Sequence, residues 1–174
     1  MPKFFSDSDE QTLAMGIALA PALQDGMVVA LVGDLGCGKT VISRGIARGL
    51  GITEAVTSPT FTVAQEYRRP DGKFLYHLDM YRIPDEEAAL AFGIDEFLFR
   101  PNAITLVEWP EQIAGLLDSP RRLTIRFQHL AEGQRSLEFL NFPQAPLRQA
   151  ALSAGLSPLP DDAATTTWPP VPPV

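Results

Sequence analysis

The chain has 174 residues, 45% of them hydrophobic and 20% charged, the composition of one soluble globular domain. A net charge of -7 and a pI of 4.8 disfavour tight nucleic-acid binding by this chain alone, because such binding needs a basic face to displace counterions. The single cysteine, Cys37, excludes an internal disulfide; no apolar run approaches the roughly 20 residues that cross a bilayer, and the acidic start at Asp7 to Glu10 is unlike a secretory signal, so a cytoplasmic location is expected.

Ser8 followed by Gln11 reads as a capping box that opens a helix to about Leu23, with Leu13, Ile17 and Ala14 or Ala20 on one face. Met27 to Val32 is a continuous apolar run, the form of a strand buried on both faces. A glycine loop and a helix over Val41 to Leu50 follow, with Gly51 as the stop. Phe61 to Arg68 and Phe74 to Arg82 read as a hairpin around the turn Pro70-Asp71-Gly72. Asp85 to Phe92 is a predicted helix, Ala103 to Val107 a buried strand, and Glu111 to Leu117 a short helix. Leu123 to Leu130 and Ser136 to Phe142 form a closing strand pair. Strands alternating with helices predict an α/β fold, a mostly parallel sheet flanked by helices with some antiparallel strands.

Residues 1–142 are therefore expected to form the domain. Residues 143–174 hold eight of the 16 prolines and few large apolar side chains, which predicts a flexible or polyproline tail. The stretch admits a short helix around Leu147 to Leu156, with the rest as tail; packing of the tail along the domain or a partner is the alternative.

Gly33-Asp34-Leu35-Gly36-Cys37-Gly38-Lys39-Thr40 matches G-x-x-x-x-G-K-[ST], between a buried strand and a helix as a phosphate-binding loop requires. Glycines allow successive N–H groups to point inward around phosphate oxygens, and the helix start presents its positive end to the same anion. Lys39 is placed to clamp the β- and γ-phosphates, and Thr40 to offer its hydroxyl to Mg²⁺. Cys37 reads as a small residue that fits the loop. Such a site needs an acid at a neighbouring strand end. Glu108, after Ile104 to Val107, and Asp79, after Phe74 to Leu78, both qualify, and the residues alone leave the choice open. His77 alternates with Asp79 and would share its face. Trp109 is either core or ligand contact.

Four motifs occur in order: the phosphate loop, Ser58-Pro59-Thr60-Phe61, His77-x-Asp79-x-Tyr81-Arg82, and Val107-Glu108-Trp109-Pro110-Glu111. Over roughly the first 140 residues the sequence resembles the bacterial tRNA threonylcarbamoyladenosine biosynthesis ATPase family TsaE, formerly YjeE. The resemblance implies an ATP- and Mg²⁺-dependent hydrolase, weak alone, that works with TsaD and TsaB and leaves most tRNA contact to them. It implies Lys39 as phosphate clamp, Thr40 and Glu108 on the metal, Asp79 as the carboxylate that positions water, Thr60 in a switch-like segment, and Trp109 as an aromatic near the site. A small-molecule P-loop kinase and a non-catalytic nucleotide-gated binding module are the rival readings. A GTPase is disfavoured because no Asn/Thr-Lys-x-Asp motif follows.

Overall fold

A computed structural model describes residues 1–160. Eight strands form one sheet: β1 (Lys3–Ser6), β2 (Val28–Val32), β3 (Ala64–Arg68), β4 (Phe74–Asp79), β5 (Ala103–Glu108), β6 (Arg122–Ala131), β7 (Gln134–Leu140) and β8 (Ser157–Leu159). Their spatial order is β3-β4-β5-β2-β6-β7-β1-β8. The pairs β4–β5, β5–β2 and β2–β6 are parallel and the flanking pairs antiparallel, so the parallel character expected from the sequence resides in the centre.

Helices cover both faces: α1 (Asp9–Leu19), α2 (Lys39–Gly49) and α4 (Gln144–Ser153) on one, and α3 (Glu86–Ala91) with the 3₁₀ segments Ile94–Phe97 and Pro110–Leu117 on the other. The central strands divide their side chains between two cores. Val29, Leu31, Ile104 and Leu106 face α1 and α2, whereas Val28 and Val107 face the opposite layer. Continuous apolar runs are what burial on both faces demands.

The capping expectation for α1 holds in part. Ser8 Oγ accepts from the Gln11 amide at 3.3 Å, while the Gln11 side chain reaches back to the Asp7 amide at 3.0 Å. The buried face differs from the expected one: Thr12, Met15, Gly16 and Leu19 point inward, and Ile17 is 40% exposed. The reason is the approach of α2. A methyl on Gly16 would lie 2.5 Å from the Ile42 carbonyl oxygen, and one on Gly45 would overlap the Leu13 carbonyl. The two helices meet backbone to backbone, which only glycine permits. Thr12 is accommodated because its hydroxyl bonds Ser6 Oγ at 2.9 Å and the Ser8 carbonyl at 3.2 Å.

The hairpin strands are shorter than expected, since Phe61 to Val63 precede β3 as irregular chain. The domain boundary expected at Phe142 lies inside the fold. Leu147, Ala150, Ala151 and Leu156 bury into the α1–α2 core, and β8 pairs with β1. The prolines there break nothing: Pro143 and Pro146 sit at and just after the start of α4, and Pro158 lies on an edge strand. The Thr165-Thr166-Thr167 and terminal Pro-Pro-Val repeats lie outside the described residues. Among those described, no helix is long and apolar enough to cross a membrane.

Candidate functional site

The loop between β2 and α2 turns on three glycines with positive φ: Gly33 (φ 152°), Gly36 (φ 76°) and Gly38 (φ 111°). Gly33 is further constrained, since a methyl there would lie 2.7 Å from Cys37 Sγ and 2.9 Å from Phe127 Cβ. The loop edges a cavity of about 310 Å³ at the ends of β4 and β5.

Lys39 is buried at the bottom of this cavity. Its ammonium donates to the Gly33 carbonyl at 2.6 Å and the Asp34 carbonyl at 2.8 Å, and sits 4.2 Å from the centre of the Trp109 ring. Trp109 has φ 56°, an uncommon conformation for a bulky residue, which turns the chain sharply after β5 and brings the indole over the ammonium. Tyr81 packs on the same indole, with ring centres 5.1 Å apart.

The two strand-end acids are neighbours. Parallel pairing of β4 and β5 sets Asp79 opposite Glu108 in register. Glu108 Oε1 accepts from Thr40 Oγ1 at 3.0 Å and lies 2.9 Å from His77 Nε2, with both residues of the latter pair buried. Asp79 Oδ2 accepts from Ser58 Oγ at 2.8 Å and Thr60 Oγ1 at 3.2 Å, and its Oδ1 accepts from the Tyr81 amide at 2.9 Å. His77 and Asp79 share a strand face, as their alternation implies, but their partners differ: the histidine braces Glu108, and Asp79 gathers the Ser58–Thr60 segment.

The structure thus brings Leu35, Gly36, Gly38, Lys39, Thr40, Thr60, Asp79, Glu108 and Trp109 to one cavity, while Gly33 and Asp34 contribute carbonyls to Lys39. Cys37 is 3% exposed with Sγ 3.8 Å from the Lys39 ammonium. Burial pushes the thiol up from its ordinary range, only partly offset by the nearby ammonium, so little thiolate forms at neutral pH. Native protein is expected to leave Cys37 unreacted toward a disulfide reagent at pH 7, with one thiol appearing per chain after denaturation; fast native labelling would contradict this. Two residues the sequence did not signal also adjoin the loop: Asp9 borders the cavity, and Arg135 packs against Gly38. Neither lies in a recognisable motif.

The donor set can be tested against a magnesium nucleotide. Among the described residues no three His, Cys, Asp or Glu side chains cluster into a metal cage. A hydroxyl and a carboxylate oxygen instead stand together beside the glycine loop at the start of α2, which suits a hard cation that completes its shell with phosphate and water. The residues fit.

Residues 6–137 match the family model described as threonylcarbamoyl adenosine biosynthesis protein TsaE. The chain belongs to the TsaE family. It is 41% identical over 138 residues to the tRNA threonylcarbamoyladenosine biosynthesis protein TsaE of Bacillus subtilis, covering 79% of this chain and 84% of that one. The Synechocystis protein of the same name is 43% identical over 117 residues, 66% of this chain and 73% of its own. The crystal structure of Bacillus subtilis YdiB superposes with a TM-score of 0.67 at 32% identity, covering 89% of this chain and 97% of that chain. This TsaE-family chain has the fold that its sequence predicts, and the family model ends before α4 and β8, the elements least legible from composition.

Proposed function

We propose that this protein is the ATP-hydrolysing subunit of the machinery that makes threonylcarbamoyladenosine in tRNA, acting in the cytoplasm on Mg-ATP in complex with TsaD and TsaB. The observation that carries the reading is the register of Asp79 with Glu108 beside a phosphate loop, with Thr40 already bonded to one acid and the Ser58–Thr60 segment to the other.

Each residue has a distinct task. Loop amides and the start of α2 hold the phosphates, and the Lys39 ammonium exchanges its two loop carbonyls for β- and γ-phosphate oxygens. Thr40 and Glu108 would hold Mg²⁺, and a bound ion would supply positive charge against the phosphate oxygens. His77 keeps Glu108 aimed at that position. Asp79 accepts a hydrogen bond from the attacking water; the bond between the γ-phosphorus and the β–γ bridging oxygen breaks as the water oxygen bonds phosphorus, leaving ADP and phosphate. Ser58 and Thr60, bonded to Asp79, transmit the presence of the terminal phosphate to neighbouring Phe61, which is 83% exposed.

Arg82 lies with its guanidinium 4.7 Å from the Phe61 ring centre, engaged outside the cavity. Among the described residues no arginine lines the cavity, so hydrolysis by the isolated chain is slow, and partner docking completes the site. The net charge of -7 fits a subunit that leaves tRNA contact to its partners. The test is ATP hydrolysis by the chain alone and with TsaB–TsaD. Stimulation of roughly tenfold or more is expected. Equal turnover alone and in complex, or transfer of the phosphate to a metabolite in place of water, would overturn the proposal.

A further inference from the structure

We propose that Arg82 is the arginine that completes the site: it turns from Phe61 to the terminal phosphate when the docked partner takes Phe61. The proposal rests on the reading of the cavity as an ATP-hydrolysing site stimulated by TsaB–TsaD.

Two short segments meet at the cavity rim. Thr60 and Tyr81 both line the cavity, and Phe61 and Arg82 are the next residue along each segment. These two exposed residues stack on one another, with the guanidinium carbon 4.7 Å from the ring centre. Arg69, Arg126 and Arg135 each stand beside a carboxylate, whereas among the described residues no carboxylate pairs with Arg82. An exposed ring holds a guanidinium weakly compared with phosphate oxygens, which accept parallel charged hydrogen bonds from it.

The segment that carries Phe61 is both tied to the reacting centre and strained. Ser58 and Thr60 donate to Asp79 Oδ2, and the Val63 carbonyl accepts from the Asp79 amide at 2.9 Å. Val63 holds φ 67°, a rare conformation for a β-branched residue, fixed by burial and by its amide bond to the Pro59 carbonyl at 2.8 Å. Strain of this kind persists only where the surroundings over-determine it. Movement of Phe61 lets Val63 relax, which offsets part of the cost of parting the ring from the guanidinium.

Once freed, Arg82 reaches past Tyr81 to the oxygens of the terminal phosphate. There it opposes the negative charge that develops as the water oxygen bonds the γ-phosphorus and the bond to the β–γ bridging oxygen breaks. Arg82 forms no covalent bond and gives up no proton. The electron pair of the broken bond stays on ADP, while one proton of the water remains on the phosphate and the other goes to solvent.

ATP hydrolysis by the full chain, alone and with TsaB–TsaD, tests this. Arg82→Gln is expected to lower kcat of the complex by roughly 1,000-fold, the scale of an arginine contact in phosphoryl transfer, with assembly of the complex intact. Phe61→Ala, at an exposed position, is expected to raise hydrolysis by the chain alone by roughly tenfold or more, since it frees the arginine. Phe61→Ala combined with Arg82→Gln is expected to lose that gain. A Phe61→Ala protein no faster than wild type overturns the proposal, because a merely structural pair would slow the reaction when either member is lost. So does an Arg82→Gln complex that is stimulated normally, or one that fails only because it no longer assembles. Wild-type protein that TsaB–TsaD does not stimulate would sink the underlying reading, whereas normal stimulation with unresponsive variants sinks only the role of Arg82.

Discussion

Asp79→Ala is expected to lower partner-stimulated ATP hydrolysis about 100- to 1,000-fold while leaving Mg-ATP bound, the magnitude seen when one preorganised polar group is removed from a reacting centre. No neighbouring carboxylate can substitute. Glu108 stands next to it in register, but its Oε1 is engaged by Thr40 and His77. Binding should survive because Asp79 makes no contact with Lys39 or the loop glycines; its partners are Ser58, Thr60 and the Tyr81 amide. Glu108→Gln should instead raise the magnesium concentration required for turnover, since the oxygen beside Thr40 loses its charge. Glutamine is the informative replacement: alanine would leave Nε2 of buried His77 without a partner, as Nδ1 already is, at a cost of about 1–3 kcal/mol in stability. Single-turnover hydrolysis alongside equilibrium binding separates the two acids. Loss of ATP binding in Asp79→Ala, with the fold intact, would remove the water-positioning role.

Gly45→Ala is expected to destabilise the fold by about 3 kcal/mol or more, although alanine is worth about 1 kcal/mol over glycine in a free helix. The added methyl would overlap the Leu13 carbonyl oxygen and come within 2.9 Å of Gly16 Cα, so backbone rather than a yielding side chain must move. Urea denaturation measures this. Arg48→Ala, on the exposed face of the same helix, should shift stability by less than about 1 kcal/mol. A stable Gly45→Ala protein would mean that α1 and α2 can separate without loss.

Local grammar made the phosphate loop readable, because strand, glycines, lysine, threonine and helix are contiguous. The strand-end acids were readable for the same reason. Their adjacency was not, since the register of Asp79 with Glu108 depends on β4 and β5 lying side by side. The face of α1 was misread because hydrophobicity favours Ile17, whereas close approach to α2 favours Gly16 and a satisfied Thr12. Proline count hid β8 and the burial of α4, whose helix the sequence did suggest, since a proline in the first turn of a helix or on an edge strand costs little. Arg135 carried no signal: its significance comes from a fold that brings β7 beside a loop about a hundred residues earlier.

The placement of β1 has a consequence for how the chain is made. Among the described residues this first strand pairs only with β7 and β8, the last two strands there. During synthesis it must therefore wait, unpaired, while nearly all the rest emerges, and the edge of the sheet closes last. Closing so long a loop carries an entropic cost before any contact repays it, which makes that side of the molecule the slow step of folding. Until it closes, Asp9 and Arg135 are not yet together and Arg135 is not yet beside Gly38. The loop between β2 and α2 thus gains its full surroundings late in the life of each new chain, only when β1 and β7 have met.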